Sequence, residues 1–169
     1  TVEFRVGNNK TVKAVSGLSL DVVKGETLAI VGESGCGKTT LVRAILQLPP
    51  PNSGEVIFDG TDLTLLPKEN LRSARTSMQM IFQDPISSLN PRMTVHQLLD
   101  EPLEIWDRGT RAERDERINK LLFSVGLEPD LVLNRRSYEF PGGQCQRISI
   151  ARALALDPRM LICDEPVSA

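Results

Sequence analysis

Apolar and β-branched residues alternate with polar ones from Leu18 to Val23 and again from Thr27 to Val31, with Lys24-Gly25-Glu26 between them. A period of two marks a half-buried strand, so the pattern predicts two strands joined by a turn. From Lys38 to Leu48 the spacing changes: Leu41, Val42, Ile45 and Leu46 recur as one face of a helix does. Pro49-Pro50-Pro51 stops that helix, and Asn52-Ser53-Gly54 turns the chain. Glu55 to Phe58 is predicted as a strand ending at Asp59-Gly60, and Met78 to Phe82 as another.

The texture then shifts. Residues Asp84 to Arg92 are rich in Pro, Ser and Asn and are predicted as a loop. Thr94 suits the N-cap of a helix carrying Val95, Leu98 and Leu99. A second amphipathic helix, Arg111 to Val125, places Ile118, Leu121, Leu122 and Val125 on one face, with Gly126 as its C-cap and Pro129 shortly beyond. Pro141-Gly142-Gly143 opens a third helix through about Leu156, closed by Asp157-Pro158, and Met160 to Asp164 forms the last strand. The order of elements predicts an α/β fold whose parallel sheet is interrupted by a helical insert.

Composition narrows the class without naming it. The chain has 169 residues, 40% of them apolar and 25% charged, enough for one globular domain with a real core. The net charge of −2 offers no basic field for nucleic acid. Arg108, Arg111, Arg114 and Arg117 alternate with Glu113, Asp115 and Glu116, which reads as a solvated helix face. The longest apolar runs, such as Leu28 to Val31, span four residues, far short of a bilayer, and no secretory signal is visible. Any membrane role is expected to come through a partner. Cys36, Cys145 and Cys163 have no metal-ligand spacing and are expected to be small filler residues.

Candidate chemistry begins at Gly32-Glu33-Ser34-Gly35-Cys36-Gly37-Lys38-Thr39, which fits the phosphate-loop pattern and sits after a predicted strand and before a predicted helix. Glycines let backbone N–H groups curl around phosphate oxygens, and the helix N-terminus adds partial positive charge. In such a loop Lys38 reaches the β- and γ-phosphates, and the Thr39 hydroxyl ligates Mg²⁺. Chance produces this pattern in about half a percent of chains this long, before the flanking elements are required. Met160-Leu161-Ile162-Cys163 is followed by Asp164 and Glu165, as a buried parallel strand delivering two acids at its C-terminal edge would be. Asp164 then holds Mg²⁺, and Glu165 polarises the water that attacks the γ-phosphate.

Two further segments carry a resemblance. Phe140-Pro141-Gly142-Gly143-Gln144-Cys145-Gln146-Arg147 closely resembles the signature motif of ATP-binding-cassette (ABC) proteins, and Gln83 fits the Q-loop of that family. The stretch Phe82 to Val95 looks like the Q-loop extension of ATPases serving oligopeptide and dipeptide importers, whose close relatives handle nickel and glutathione.

The resemblance spans essentially the whole chain and implies the P-loop NTPase fold of ABC ATPases. That fold has a parallel-sheet core, an N-terminal antiparallel β subdomain and an inserted helical subdomain, here C-terminally incomplete. Residues 1–83 are then the ATP-binding core, 84–139 the helical subdomain, and 140–169 the signature helix and acidic strand returning to the core. The cofactors implied are ATP and Mg²⁺. ATP is bound by Gly32 through Thr39 with Thr40, and by Gly142, Gly143 and Gln144 from the other side. Mg²⁺ is held by Thr39, Gln83 and Asp164. The catalytic residues implied are Glu165, Lys38 and Gln83.

The family's mechanism implies a second ABC ATPase subunit, identical or not, paired head to tail. It also implies membrane permease subunits, contacted in part by the Ser87 to Arg92 loop, and indirectly an extracytoplasmic peptide-binding protein. No nucleic-acid partner is implied, and the location is the cytoplasmic face of the cell membrane. The alternatives are a soluble non-transport ABC ATPase, which lacks the Gln83 to Val95 extension, and a non-catalytic nucleotide-binding fragment.

The sequence also departs from the pattern. Pro141 replaces the usual signature serine, removing a hydroxyl and one N–H, so two unequal ATP sites are expected in the pair. The chain stops at Pro166-Val167-Ser168-Ala169, at the start of the D-loop, so residues 1–169 alone are expected to have exposed sheet edges and to hydrolyse ATP negligibly. His96 is in the wrong place for the family's switch histidine and reads as a surface or core-edge residue. The adenine-stacking aromatic falls near Asn9, with Phe4 the nearest aromatic; a strand core position is the preferred reading of Phe4.

Overall fold

A computed structural model describes residues 1–6 and 10–164. Glu165, the segment 166–169 and Asn9 therefore lie outside the described residues. The chain divides into two compact units, Thr1–Ala74 and Arg75–Ala169.

The first unit opens with β1 (Val2–Val6) and β2 (Lys10–Val15), an antiparallel pair with Phe4 opposite Val12 and Val6 opposite Lys10. The 52–53 turn anchors its end: the N-terminal ammonium donates to Ser53 O at 2.8 Å and the Glu3 amide to Asn52 Oδ1 at 2.7 Å. Helix α1 (Lys38–Ile45) follows the glycine-rich loop. It stops short of the expected Leu48 because Gln47 adopts φ 58° and the Leu48 amide turns back to Arg43 O at 2.8 Å. Strands β3 (Ile57–Phe58) and β4 (Thr61–Asp62) form a hairpin. Asp59 and Gly60 take φ 54° and 79°, the left-handed pair that a tight twisted hairpin requires. Helix α2 (Lys68–Ala74) buries no residue, so it has no apolar stripe for sequence periodicity to detect.

The strands expected at Leu18 to Val23 and Thr27 to Val31 are not formed. Alternation expresses a preference, but a strand exists only where a neighbouring strand accepts from its N–H groups and donates to its C=O groups, and no described residue forms a strand ladder with these segments. Val31 accordingly stands 92% exposed. Phe4 is exposed on its hairpin as well, so its expected core position is corrected.

The second unit contains β5 (Met78–Ile81) and β6 (Met160–Cys163), paired in parallel from Met78 opposite Met160 to Ile81 opposite Cys163. This pair is the parallel sheet among the described residues. Between its strands come α3 (Pro85–Ser88), α4 (Val95–Ile105), α5 (Arg111–Ser124), α6 (Pro129–Val132) and α7 (Gly142–Leu154). The expected 84–92 loop thus includes a short helix: Asp84 caps it by accepting from the Ile86 and Ser87 amides, and Pro85 needs no donor at its first position.

The core of this unit is a continuous cluster around Leu98, Leu99, Leu103, Ile118, Leu122 and Ile148, each at most 1% exposed. Thr94 and Thr110 close full capping boxes on α4 and α5, with Gln97 and Glu113 reaching back. The arginine cluster is only partly the solvated face expected. Arg114 pairs with Asp100 at 2.6 Å, and Arg117 donates to Ala155 O at 2.9 Å, because both point toward neighbouring helices rather than outward. His96 is the core-edge histidine expected, 2.7 Å from Asp115 across α4 and α5.

Two outcomes are expected. Leu122→Ala should destabilise the unit by about 2–5 kcal/mol, whereas Phe123→Ala, one residue on and 58% exposed, should change stability by less than about 0.5 kcal/mol; urea melts of both variants check this. Hydrogen bonds from the Thr110 hydroxyl and amide hold the Glu113 carboxyl below its ordinary value. A depressed folded pKa contributes stability that is full above the unfolded value, about 4.3 for Glu, and lost as pH falls through the folded value. The loss caused by Thr110→Ala should therefore be larger at pH 7 than at pH 3. Equal shifts in urea midpoint at both would exclude this coupling.

Candidate functional site: a phosphate loop and an uncapped signature helix

In the first unit, the loop from Gly32 to Gly37 curls back on itself. The Lys38 ammonium donates to Gly32 O at 2.8 Å and to Glu33 O at 2.9 Å, and the Cys36 amide donates to Glu33 O at 3.3 Å. An ammonium carries three donors, so Lys38 shapes the loop with two of them. Gly37 is the N-cap of α1 at φ 100°, a conformation side chains avoid. A Cβ there would also lie 2.3 Å from Ala14 O on the end of β2. Glycine is required at 37 on both counts. Gly35, at φ 80°, is required by conformation alone. Thr39 and Thr40 stand half-buried in the first turn of α1, which has no side-chain cap. Cys36 is exposed in this loop and Cys163 at the sheet edge, which corrects the filler reading for both. It holds for Cys145, whose fully buried thiol donates to Ser137 O and is pushed up by burial.

In the second unit, Gln83 and Asp164 both leave the C-terminal edge of the β5–β6 pair. Asp164 is 8% exposed, and its amide donates to Ile81 O at 3.0 Å, which extends the ladder one residue past Cys163. Gln83 is exposed two residues beyond Ile81. Parallel pairing alone thus brings the two expected Mg²⁺ ligands of this unit to one edge, as open α/β sheets do with their ligands.

Helix α7 begins at Gly142 with Pro141 as N-cap (φ −59°, ψ 153°) and no side-chain cap. The Gln144 and Cys145 amides both turn to Pro141 O, at 2.9 and 3.1 Å. At Gly142 and Gly143 an added Cβ would meet nothing within 4 Å, and neither has a left-handed backbone. Nothing among the described residues demands glycine there, in contrast to Gly37. Each unit thus has a helix N-terminus without a side-chain cap, and that of α1 lies behind a lysine-braced glycine loop of the phosphate-loop kind.

A family model described as ABC transporter matches residues 15–168. The chain belongs to the ABC transporter family of ATP-binding cassettes. It is 51% identical over 161 residues to the oligopeptide transport ATP-binding protein OppF of Escherichia coli, covering 95% of this chain and 48% of that one. It is 47% identical over 177 residues to OppF of Haemophilus influenzae (99% and 53%), and 50% identical over 159 residues to a putative peptide import ATP-binding protein of Brucella ovis (94% and 50%). The chain spans about half the length of these relatives. Among solved structures, the dimeric post-hydrolysis state of the ATP-binding cassette MJ0796 bound to ADP and Pi superposes with a TM-score of 0.90 at 31% identity, over 99% of this chain and 72% of that one. CbiO1 of Clostridium perfringens, part of the ABC transporter complex cbiONQ, superposes with a TM-score of 0.81 at 25% identity, over 99% and 64%. The α/β cassette fold expected from the motifs is thereby established.

Sequence reasoning missed how the Q-loop extension is built. Leu89, 2% exposed, anchors it, and Ser88 Oγ lies 3.5 Å from Ser149 Oγ on α7. The Asp84-Pro85 pair, an N-cap followed by a helix-compatible proline, was the available signal.

The glycine contrast yields an expectation. Gly37→Ala should abolish nucleotide binding and lower thermal stability, while Gly142→Ala should leave thermal stability unchanged; a nucleotide-binding isotherm and a melting curve for each variant check this.

Proposed function

We propose that this chain is the nucleotide-binding part of an ATPase that powers import of peptides across a membrane. The observation that carries the reading is the Lys38 ammonium braced on Gly32 O and Glu33 O at the uncapped N-terminus of α1. The loop amides cradle the phosphates, and Lys38 meets the β- and γ-oxygens of ATP. At the edge of the β5–β6 pair Gln83 and Asp164 offer an amide oxygen and a carboxylate, and in the phosphate loop Thr39 offers a hydroxyl, each a hard oxygen donor of the kind Mg²⁺ takes; the ion, when bound with ATP, would supply neutralisation of charge developing on the γ-phosphate. Glu165 follows Asp164 directly in sequence and accepts the proton of the attacking water. Residues 1–83 and 140–169 make the nucleotide-binding core in this reading, and 84–139 the helical part.

ATP is shared with a second ATPase subunit. The open space at Gly142 and Gly143 supports this: a phosphate approaching from outside the chain needs amides that no Cβ shields. The cassette MJ0796 is dimeric in its ADP-bound state, and the relatives named for oligopeptide transport support the peptide cargo. No helix among the described residues is long and apolar enough to cross a membrane. In this reading coupling runs through permease subunits docked on the 87–92 segment at the cytoplasmic face, as the resemblance to peptide-importer ATPases implies. Exposed Phe82 and Ile86 beside that segment offer apolar surface for such a contact.

The test uses the full-length chain assembled with its partner ATPase and permease. Lys38→Ala should abolish nucleotide binding at this subunit's loop. Glu165→Gln should keep binding but lower turnover by at least about a hundredfold. Wild-type turnover in Glu165→Gln would exclude the catalytic assignment. Pro141→Ser, which restores a hydroxyl at the N-cap of α7, should raise ATPase activity of the assembled pair; no rise would remove the expectation of two unequal sites.

A further inference from the structure

Ile118 and Leu122 of α5 share one buried cluster with Cys145, Ile148 and Ala151 of α7 and its C-cap Ala155. Three of these four residues from α7 and its end are small, so the apolar surface they offer is shallow. Dispersion and burial are non-directional, and a shallow apolar face holds two helices together without fixing where one stands along the other's axis.

Directional bonds occur at both ends of this helix pair. Near the start of α7, Arg147 Nη1 donates to Val125 O and to Gly126 O, each at 3.3 Å, where α5 ends. In α5, Arg117 Nε donates to Ala155 O at 2.9 Å, where α7 ends. Each helix therefore sends one arginine to the carbonyl terminus of the other, which requires the two to run antiparallel. Both guanidinium groups meet the negative end of a helix dipole and bind carbonyls that no intrahelical amide reaches. Gly126 fits this arrangement twice over. It takes φ 71° to end α5, and a Cβ there would stand 2.9 Å from Arg147 Nη1. The other arginine of α7, Arg152, donates to Leu98 O and pairs with Glu101 on α4 at 3.1 Å.

We propose that Arg117 and Arg147 are positioning residues, a reciprocal pair of C-terminal clamps that fix the axial setting of the signature helix so that the Gly142 and Gly143 amides stand at one defined place for the γ-phosphate of a nucleotide held by the partner subunit. The proposal rests on the reading of α7 as half of a shared ATP site. Sliding α7 by a fraction of its 1.5 Å rise per residue would move these amides out of hydrogen-bond range of a phosphate fixed elsewhere. The arginines touch neither nucleotide nor metal in this scheme; they act through the helix they hold.

The experiment uses the full-length chain assembled with its partner ATPase. It compares Arg147→Gln, Arg147→Lys, Arg117→Gln and Gly126→Ala with two references. Arg114→Gln removes the α4–α5 ion pair to Asp100 and does not touch α7; Gly143→Val places a side chain in the path of the phosphate. Arg147→Gln and Arg117→Gln should each lower kcat/KM of the pair by roughly tenfold. Nucleotide affinity of the separate full-length subunit, which depends on its own loop, should stay unchanged. Arg147→Lys should recover most of the loss, since one ammonium reaches two carbonyls, and Gly126→Ala should reproduce it by displacing the guanidinium. Arg114→Gln should lower the melting temperature and leave kcat/KM unchanged.

The proposal is overturned if the two glutamine variants keep kcat/KM within about twofold of wild type, or if Arg114→Gln lowers it equally, which would mark a general loosening of the helices. Should a glutamine variant fail to fold, Arg147→Lys and Gly126→Ala decide the same question. If Gly143→Val is silent as well, the shared-site reading fails and the clamp falls with it. If Gly143→Val is severe and the arginine variants are silent, the clamp alone fails.

Discussion

The first turn of an α-helix carries four N–H groups that no residue of the helix can accept, and this chain treats them in two ways. Of its helices of eight residues or more among the described residues, α4 and α5 close theirs with complete capping boxes at Thr94 and Thr110. Helices α1 and α7 have Gly37 and Pro141 at the N-cap, with no side chain to accept. A cap would stabilise each by about 1 kcal/mol, so the uncapped ends are places where stability is forgone and donors are kept outward. One of these helices follows the phosphate loop, and the other begins within the segment that resembles the signature motif. Burial and capping elsewhere hold the fold; at α1 and α7 no side chain at the N-cap takes up the backbone donors.

The glycines beside those two ends serve different purposes. Gly37 is fixed by the chain's own geometry, since a left-handed φ and the Ala14 carbonyl both exclude a side chain. Its role is complete inside the molecule: it lets the loop seat against β2 and lets Lys38 fold back over Gly32 and Glu33. Gly142 and Gly143 have ordinary backbone conformations and open space around them. Open space at their amides is what the proposed shared phosphate site would use. The same residue type thus meets a backbone demand in one unit and leaves open space in the other.

Most of the helical unit was legible in the sequence because its signals are local. Thr94 and Thr110 announce helix starts, Gly126 announces a stop, and Leu98, Ile118 and Leu122 recur at helical spacing. The phosphate loop was legible for a related reason: its pattern is dictated by the contact of backbone with phosphate. The segments at 18–23 and 27–31 misled because alternation records only half of what a strand needs. Helix α2 was invisible because it buries nothing, and α3 because four residues leave no period to read. Arg114 and Arg117 were misread for a third reason. Charge alternation marks a solvated face on an isolated helix, but Asp100 and the Ala155 carbonyl lie on α4 and α7, and no local pattern contains them.

The position of Gln83 shows how few residues separate the sheet edge from the signature helix. Beyond Gln83 the chain enters α3, whose capping carboxyl at Asp84 is held below its ordinary value by the Ser87 amide and hydroxyl and the Ile86 amide. Leu89 then drops into the core, and Ser88 faces Ser149 on α7. Displacement travels best through short, packed and hydrogen-bonded paths, and this one has no flexible glycine between Gln83 and Leu89. Asp164 stands at the same edge, its amide fixed to Ile81 O. A change in what Gln83 contacts would therefore reach α7 through six residues of chain, while the acid beside it stays tied to the strand.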